Sequence, residues 1–275
     1  MYKISRPQLL KILIATGLLF PGYLGFAVLA APQDGTSGAS STYVEPDGVA
    51  AASYSAPEPA NALMESSFEG QLLANTHLLV EGSLRSGEGY FSADGERLIY
   101  QSETVGDNPF YQIYVMNLSD GTSRRVSPGI GLTTCAWIHP TEEVVMFSST
   151  HEDPDARTKQ AEEISIRASG VTRPYGWDYD RHYDIYQADS LGNNLVNLTN
   201  SDGYDAEGSY SADGSQILFA SNREAYQRSL SQAEQKLFED DASYFMDLYL
   251  MDADGTNVRQ LTHSPGYDGG PFFSP

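Results

Sequence analysis

Apolar positions along this chain come in many short runs rather than long helical stripes, and the runs recur in a fixed order. Tyr90-Phe91-Ser92-Ala93-Asp94-Gly95 returns as Ser209-Tyr210-Ser211-Ala212-Asp213-Gly214, and Pro271-Phe272-Phe273-Ser274-Pro275 begins the motif again. Ala136-Trp137-Ile138-His139-Pro140-Thr141-Glu142 is a degenerate copy, with His139 for the serine and Thr141-Glu142 for Asp-Gly. Each copy is followed by a β-prone run, at 97–101, 144–148 and 216–220. A run of apolar and aromatic residues comes next: Ile113-Tyr114-Val115-Met116, Ile185-Tyr186-Gln187-Ala188 and Leu248-Tyr249-Leu250-Met251. Turns then fall at Asp120-Gly121, Leu191-Gly192 and Asp254-Gly255, where glycine supplies the positive φ of tight hairpins. Closing runs lie at 195–199 and 258–262. Four short strands per unit in one order predict an all-β fold, a β-propeller of four-stranded antiparallel blades. It is partial: three complete repeats plus the start of a fourth.

Spacing shows what is added to the blades. Ser92 to His139 is close to a bare blade, whereas His139 to Ser211 and Ser211 to Ser274 are longer by roughly 20 to 30 residues. Both times the excess falls between the second and third strands, at 151–181 and 223–245. Ser231-Gln232-Ala233-Glu234 is a capping box that opens a short helix ending near Phe238. Strong helix formers over 155–168 stop before Gly170. Two helical insertions are therefore expected. Second-to-third loops of a propeller emerge on the same face as the connections between blades, so both insertions should crowd one rim.

Lys3, Arg6 and Lys11 precede an apolar stretch over 12–30 that ends in small residues, the grammar of a signal peptide cut after Ala30. An uncleaved anchor is the alternative, interrupted by Pro21-Gly22. Cleavage leaves no membrane span and an exported, periplasmic protein. Residues 31–62 are rich in Ala, Ser, Gly and Pro and are expected to be a disordered linker, with the partial propeller over 63–275. Thr76-His77-Leu78-Leu79-Val80 has the character of an outer, fourth strand.

The net charge of −21 repels phosphate backbones and anionic lipid, which excludes nucleic acid as a favoured partner and leaves basic partners or divalent cations. The single cysteine, Cys135, has no intrachain disulfide partner and is expected to be a small buried hydrophobe.

Residues 247–262 contain Asp247-Leu248-Tyr249-Leu250-Met251-Asp252-Ala253-Asp254-Gly255 followed by Arg259-Gln260-Leu261-Thr262. With the Ser-Ala-Asp-Gly copies, this resembles the TolB-like (WD40-like) propeller repeat, over about residues 73–275. The resemblance implies a periplasmic protein and, for the family's namesake, an adaptor that binds an envelope lipoprotein through its propeller. The namesake's N-terminal α/β domain has no counterpart here, and Ala93 and Ala212 stand where the family has proline. Further blades are expected beyond Pro275. The expected function is a non-catalytic exported scaffold binding an envelope protein or peptide. Similar propellers also precede hydrolase domains, so the alternative is the N-terminal propeller of a longer exported peptidase.

On the insertion-bearing face, Trp177, Tyr179, Arg181, His182, Tyr183, Arg223 and Tyr226 are the candidate partner-binding residues, since aromatics and arginine dominate binding hot spots. Arg223 stands where the family has Ser-Asp-Arg and is expected to pair with neighbouring acids. Asp178, Asp180, Asp184, Asp205 and Glu207 are weaker candidates for a divalent cation such as calcium, which needs several converging oxygens; local turn formation competes with that role. No catalytic residues or cofactor are assigned: Gly-x-Ser-x-Gly and His-Glu-x-x-His are absent from the sequence. Tyr90, Phe91, Trp137, Tyr210, Phe219, Phe272 and Phe273 recur at repeat positions and are expected in the core.

Overall fold

Three sheets follow one another along the chain, each built on four antiparallel strands hydrogen-bonded in simple sequence order. The computed structural model describes residues 43–44, 76–104, 106, 108–171 and 176–274, all in one of the chain's two units, Ser37–Pro275. The expected leader and, apart from β1 (Tyr43–Val44), the expected linker lie outside the described residues. The first sheet runs β2 (Ser83–Phe91), β3 (Arg97–Thr104), β4 (Gln112–Asn117) and β5 (Ser123–Arg125), with β1 added parallel to the edge of β5. The second is β6 (Thr133–Ile138), β7 (Val144–Ser149), β8 (Asp184–Asp189) and β9 (Val196–Asn197). The third is β10 (Asp205–Tyr210), β11 (Gln216–Ser221), β12 (Asp247–Asp252) and β13 (Arg259–Gln260). Antiparallel four-strand meanders of this order are propeller blades.

Strand periodicity divides each blade between its neighbours. Val145 and Phe147 of β7 join Ile99, Ile113 and Val126 of the first blade in one buried cluster. Met146, between them, joins Ile217, Phe219 and Met251 of the third blade in another. Successive side chains point to opposite faces of a strand, so one central run serves two interfaces. Each fully buried side chain of this size contributes about 1.5–3 kcal/mol.

Polar repeats hold the blade geometry. The amides of Ile113, Ile185 and Leu248 donate to the hydroxyls of Ser127, Thr199 and Thr262 at 3.0, 3.0 and 2.9 Å. Those hydroxyls donate in turn to Gln112, Asp184 and Asp247 at 2.7, 2.7 and 3.1 Å. This is the physical content of the recurring Leu-Thr: its hydroxyl ties the end of the fourth strand to the start of the third.

The degenerate second copy is repaired rather than lost. His139 Nδ1 accepts from the amides of Thr141 and Glu142, at 3.2 and 2.9 Å, rebuilding the turn that Asp-Gly makes elsewhere. That assigns the ring proton to Nε2, which donates to the Gly214 carbonyl at 3.1 Å and links the second blade to the third.

Two expectations change. Thr76-His77-Leu78-Leu79-Val80 forms no strand; Val80 instead packs on Leu98, Tyr100, Tyr114 and Met116 of the first blade. Phe91 and Phe272 are 39% and 52% exposed and are not core. The inner strands bulge where they approach one another, and Tyr90, Trp137 and Phe272 meet there, with centroids 4.4 to 5.9 Å apart.

Both insertions are helical. α1 (Ala156–Ala168) lies between β7 and β8 and precedes Gly170, whose φ of 72° ends the helix in the left-handed region. Its Arg167 reaches the first blade, where buried Glu103 is gripped by Arg167 and Arg85 together. Between β11 and β12 come α2 (Arg223–Gln227), α3 (Gln232–Asp240) and a 3-10 turn (Ala242–Phe245). The expected capping box is formed: the Glu234 amide donates to Ser231 Oγ at 3.3 Å and the Ser231 amide to Glu234 Oε2 at 2.8 Å. None of the residues of α3 is buried. Ser231→Ala is therefore expected to destabilise α3 by about 1 kcal/mol without moving the global melt. Hydrogen exchange over 232–240 checks this; faster exchange with an unchanged melting temperature is the expected outcome.

Candidate functional site

The two insertions converge on one rim, as the loop order of a propeller demands. The Gly203 amide donates to the Arg181 carbonyl at 2.9 Å and the Asp205 amide to the Tyr183 carbonyl at 3.0 Å, joining the first insertion to the connection between blades two and three. The Arg181 guanidinium pairs with Asp202 at 2.5 Å and lies 5.3 Å over the Tyr226 ring of the second insertion. Arg181, Asp202 and Tyr226 thus make one continuous platform from three chain segments.

The candidate residues divide by burial. Tyr183 is 2% exposed, and its ring meets Tyr204 edge-on at 5.0 Å. Tyr179 meets the same ring at 5.1 Å, and Trp177 Nε1 donates to the Tyr204 hydroxyl at 2.9 Å. Three of the expected anchors thus close over Tyr204, which has no exposed surface, and Trp177 and Tyr179 keep only part of theirs. Tyr183 is core. Arg181 and His182 remain accessible, with 48% and 40% of their side chains exposed, and Tyr226 is half-buried.

Arg223 is also interior. Its guanidinium donates to Asp205 through Nε at 3.1 Å and Nη2 at 2.5 Å, and it stacks over Phe219 and Tyr249 at 5.1 and 5.4 Å. Asp205 has no exposed surface and also accepts from Ser221 Oγ at 2.5 Å. Burial pushes the Asp205 carboxyl up to about 6, against the pull of Arg223.

The five acids considered for a cation do not converge. Asp184 is occupied by Thr199, the Ser201 amide and Asn197. Asp205 belongs to Arg223, and Glu207 accepts from Tyr267 Oη at 2.7 and 2.8 Å and from the Gly270 amide. Asp178 is exposed. Only Asp180 joins a set with ligand-like spacing, beside Asp153 and His182. The Lys159 ammonium already lies between the two carboxylates, 2.8 Å from Asp153 and in contact with Asp180. Burial works against that ammonium, yet hydrogen bonds to both acids hold it above its ordinary value. A protein cation thus already occupies the space between the two carboxylates and offsets one of their charges, so the donor set does not call for a metal.

A second convergence was not legible from composition. Each inner strand bulges around a left-handed residue, Glu88, Cys135 and Glu207, with φ of 43°, 52° and 59°. All three stand four residues before the turn position held by Ser92, His139 and Ser211, an offset that marks them in the sequence. Cys135 Sγ lies 3.8 Å from Glu88 Oε2. Burial, then the charges of Glu88 and Glu207, push the thiol well above its usual range, so it stays protonated and unreactive.

Ser149 lies 3.1 Å from His151 Nδ1, but Ser149 has no exposed surface, and Ser102 and Ser221 recur at the same strand position. Recurrence marks it as part of the blade. The second insertion also contributes residues that the sequence did not single out. Phe238, Phe245 and Tyr244 extend from the expected Tyr226 as a file of edge-to-face rings with successive centroids 5.3, 5.5 and 5.8 Å apart. The capping box located the helix, but these rings have no repeat counterpart to announce them.

No family model matches the chain. Among solved structures, it is similar to TolB from Acinetobacter baumannii, with 19% identity over 81% of this chain and 43% of that one and a TM-score of 0.43. A protein assigned as TolB from Agrobacterium tumefaciens is matched at 19% identity over 70% of this chain and 54% of that one, with a TM-score of 0.47. An oligogalacturonate lyase in complex with manganese is matched at 14% identity over 66% and 42%, with a TM-score of 0.39. The chain spans about half the length of these structures or less.

Proposed function

We propose that this TolB-like propeller is an exported scaffold whose insertion-bearing rim binds a protein or peptide partner in the cell envelope. The observation that carries it is the convergence of three separate chain segments on Arg181, Asp202 and Tyr226, at the one rim where both insertions emerge. Blades do not need these insertions: the first is built without one. Insertions that meet each other at one rim and keep Arg181 and part of Tyr226 at the surface supply the residue types that anchor protein interfaces. Signal-peptide grammar at the N-terminus supports export to the periplasm. None of the helices among the described residues is long and apolar enough to cross a membrane.

The test compares capture of a partner from envelope extract by the wild-type chain, Arg181→Glu, Tyr226→Ala and a distant control, Glu96→Lys. Loss of a central anchor costs about 2 kcal/mol or more, so capture by the two rim variants should fall well over tenfold while the control is unchanged. Equal capture by all four chains rejects the rim as the binding surface.

A further inference from the structure

Beyond Arg181 and Tyr226, the rim continues onto α3, whose surroundings indicate the chemistry of what it meets. Leu237 and Phe238 are only partly buried and Tyr244 is 38% exposed, so this end of the insertion presents apolar surface that the blades do not use. Glu239, Asp240 and Asp241 follow directly, and the last turn of α3 holds no basic residue. The C-terminal end of a helix carries partial negative charge from its carbonyls and favours cations, so these acids stand where the helix itself disfavours them. Lys236 pairs with Asp240 at 2.7 Å. Glu239 and Asp241 have no ion-pair partner among the described residues; Glu239 accepts from Gln235, and Asp241 caps the 3-10 turn through Ser243. An apolar patch bordered by uncompensated negative charge is complementary to a cationic amphipathic segment.

We propose that this end of the platform docks a basic segment of the partner, with an apolar side chain laid on Leu237, Phe238 and Tyr244 and Lys or Arg side chains on Glu239, Asp240 and Asp241. This rests on the rim being a binding platform and specifies what the platform takes. The flanking acids strengthen association and exclude acidic partners, while the aromatic file supplies the contact area and a cation–π surface.

The test measures fluorescence anisotropy of a labelled amphipathic Leu/Lys peptide and its Leu/Glu counterpart with the full chain at physiological salt. The Leu/Lys peptide is expected to bind and the Leu/Glu peptide not to. Glu239→Lys with Asp240→Lys should weaken the Leu/Lys peptide by about tenfold; lysine suits the helix end but gives up the Lys236–Asp240 pair, so hydrogen exchange over 232–240 is read alongside to show that α3 is retained. Tyr244→Ala should also weaken it. Glu96→Lys with Glu142→Lys makes the same change of net charge in the turns at the other end of the sheets and should leave affinity within about twofold. Equal weakening by the two charge pairs would mean a response to the field of the whole protein and overturns the proposal, as would binding of both peptides, binding of neither, or indifference to Tyr244→Ala. If envelope capture is lost on Arg181→Glu yet unaffected by the α3 charge reversal, the platform stands and the basic-segment assignment fails. Capture insensitive to both removes the platform itself.

Discussion

Replacing Arg223 by Met lowers the stability of the fold by about 3–5 kcal/mol at pH 8, because the change removes one partner of a buried ion pair and strands the other. Met keeps much of the apolar contact with Phe219 and Tyr249, over which the guanidinium now lies, so the loss reports the charge rather than a cavity. What remains is the Asp205 carboxylate, with no exposed surface, which accepts from Ser221 Oγ and feels the like charge of Asp184. Burial already pushes Asp205 up to about 6 with Arg223 present, and without the cation it rises further. The sign of the pH dependence follows. A carboxyl whose folded value exceeds its unfolded value contributes most stability at low pH and loses that contribution as pH rises towards the folded value. Below about pH 6 the carboxyl is protonated in both proteins and the gap between them is at its smallest. Above it, the wild type ionises against its arginine while the variant continues to lose stability. Urea unfolding at pH 5.5 and pH 8 checks this. A gap of constant size at both values would show that Arg223 acts through packing alone.

The same residue shows why candidate sites were less legible than strands. Strand positions were written in repeated motifs, and 97–101, 144–148 and 216–220 all fall inside observed strands. The insertions and the Ser231 capping box were legible for the same reason, since spacing and capping are local signals. Burial is not local. Tyr183 and Arg223 sit between strands in segments rich in acids and aromatics, a composition shared by binding surfaces and by cores that must satisfy buried polar groups. Repeat equivalence carries the distinction: Arg223, His151 and Thr104 occupy one position of the blade, and each lies against the tyrosine of its own third strand. Asp184 falls with Gln112 and Asp247 in the same way, as the acceptor for the Leu-Thr hydroxyl. Residues without a repeat counterpart, such as Arg181, Tyr226 and the rings beyond it, are the ones left at the surface.

Gly255→Ala is the second large effect, and it tests how blades are joined. Gly255 has φ of 83°, a backbone conformation that costs an alanine roughly 1–2 kcal/mol. Its position adds a second obstacle: a Cβ there would lie 2.5 Å from the Leu198 carbonyl oxygen of the preceding blade. That carbonyl cannot easily withdraw, because the Leu198 amide is bonded to the Ile185 carbonyl at 2.8 Å. Gly192 meets the Val126 carbonyl at 2.7 Å in the same way one blade earlier, so the recurring hairpin glycine serves the interface as well as the turn. Overpacking of this kind typically adds 1–3 kcal/mol, for a total of about 2–5 kcal/mol. Gly95 separates the two contributions, since it has φ of 73° but nothing near its Cβ position. Gly95→Ala should cost only the backbone part, about 1–2 kcal/mol, whereas Gly255→Ala and Gly192→Ala should both exceed it. Equal losses at all three sites in denaturant unfolding would place the requirement for glycine in the hairpin alone and deny the hairpins a part in holding one blade against the next.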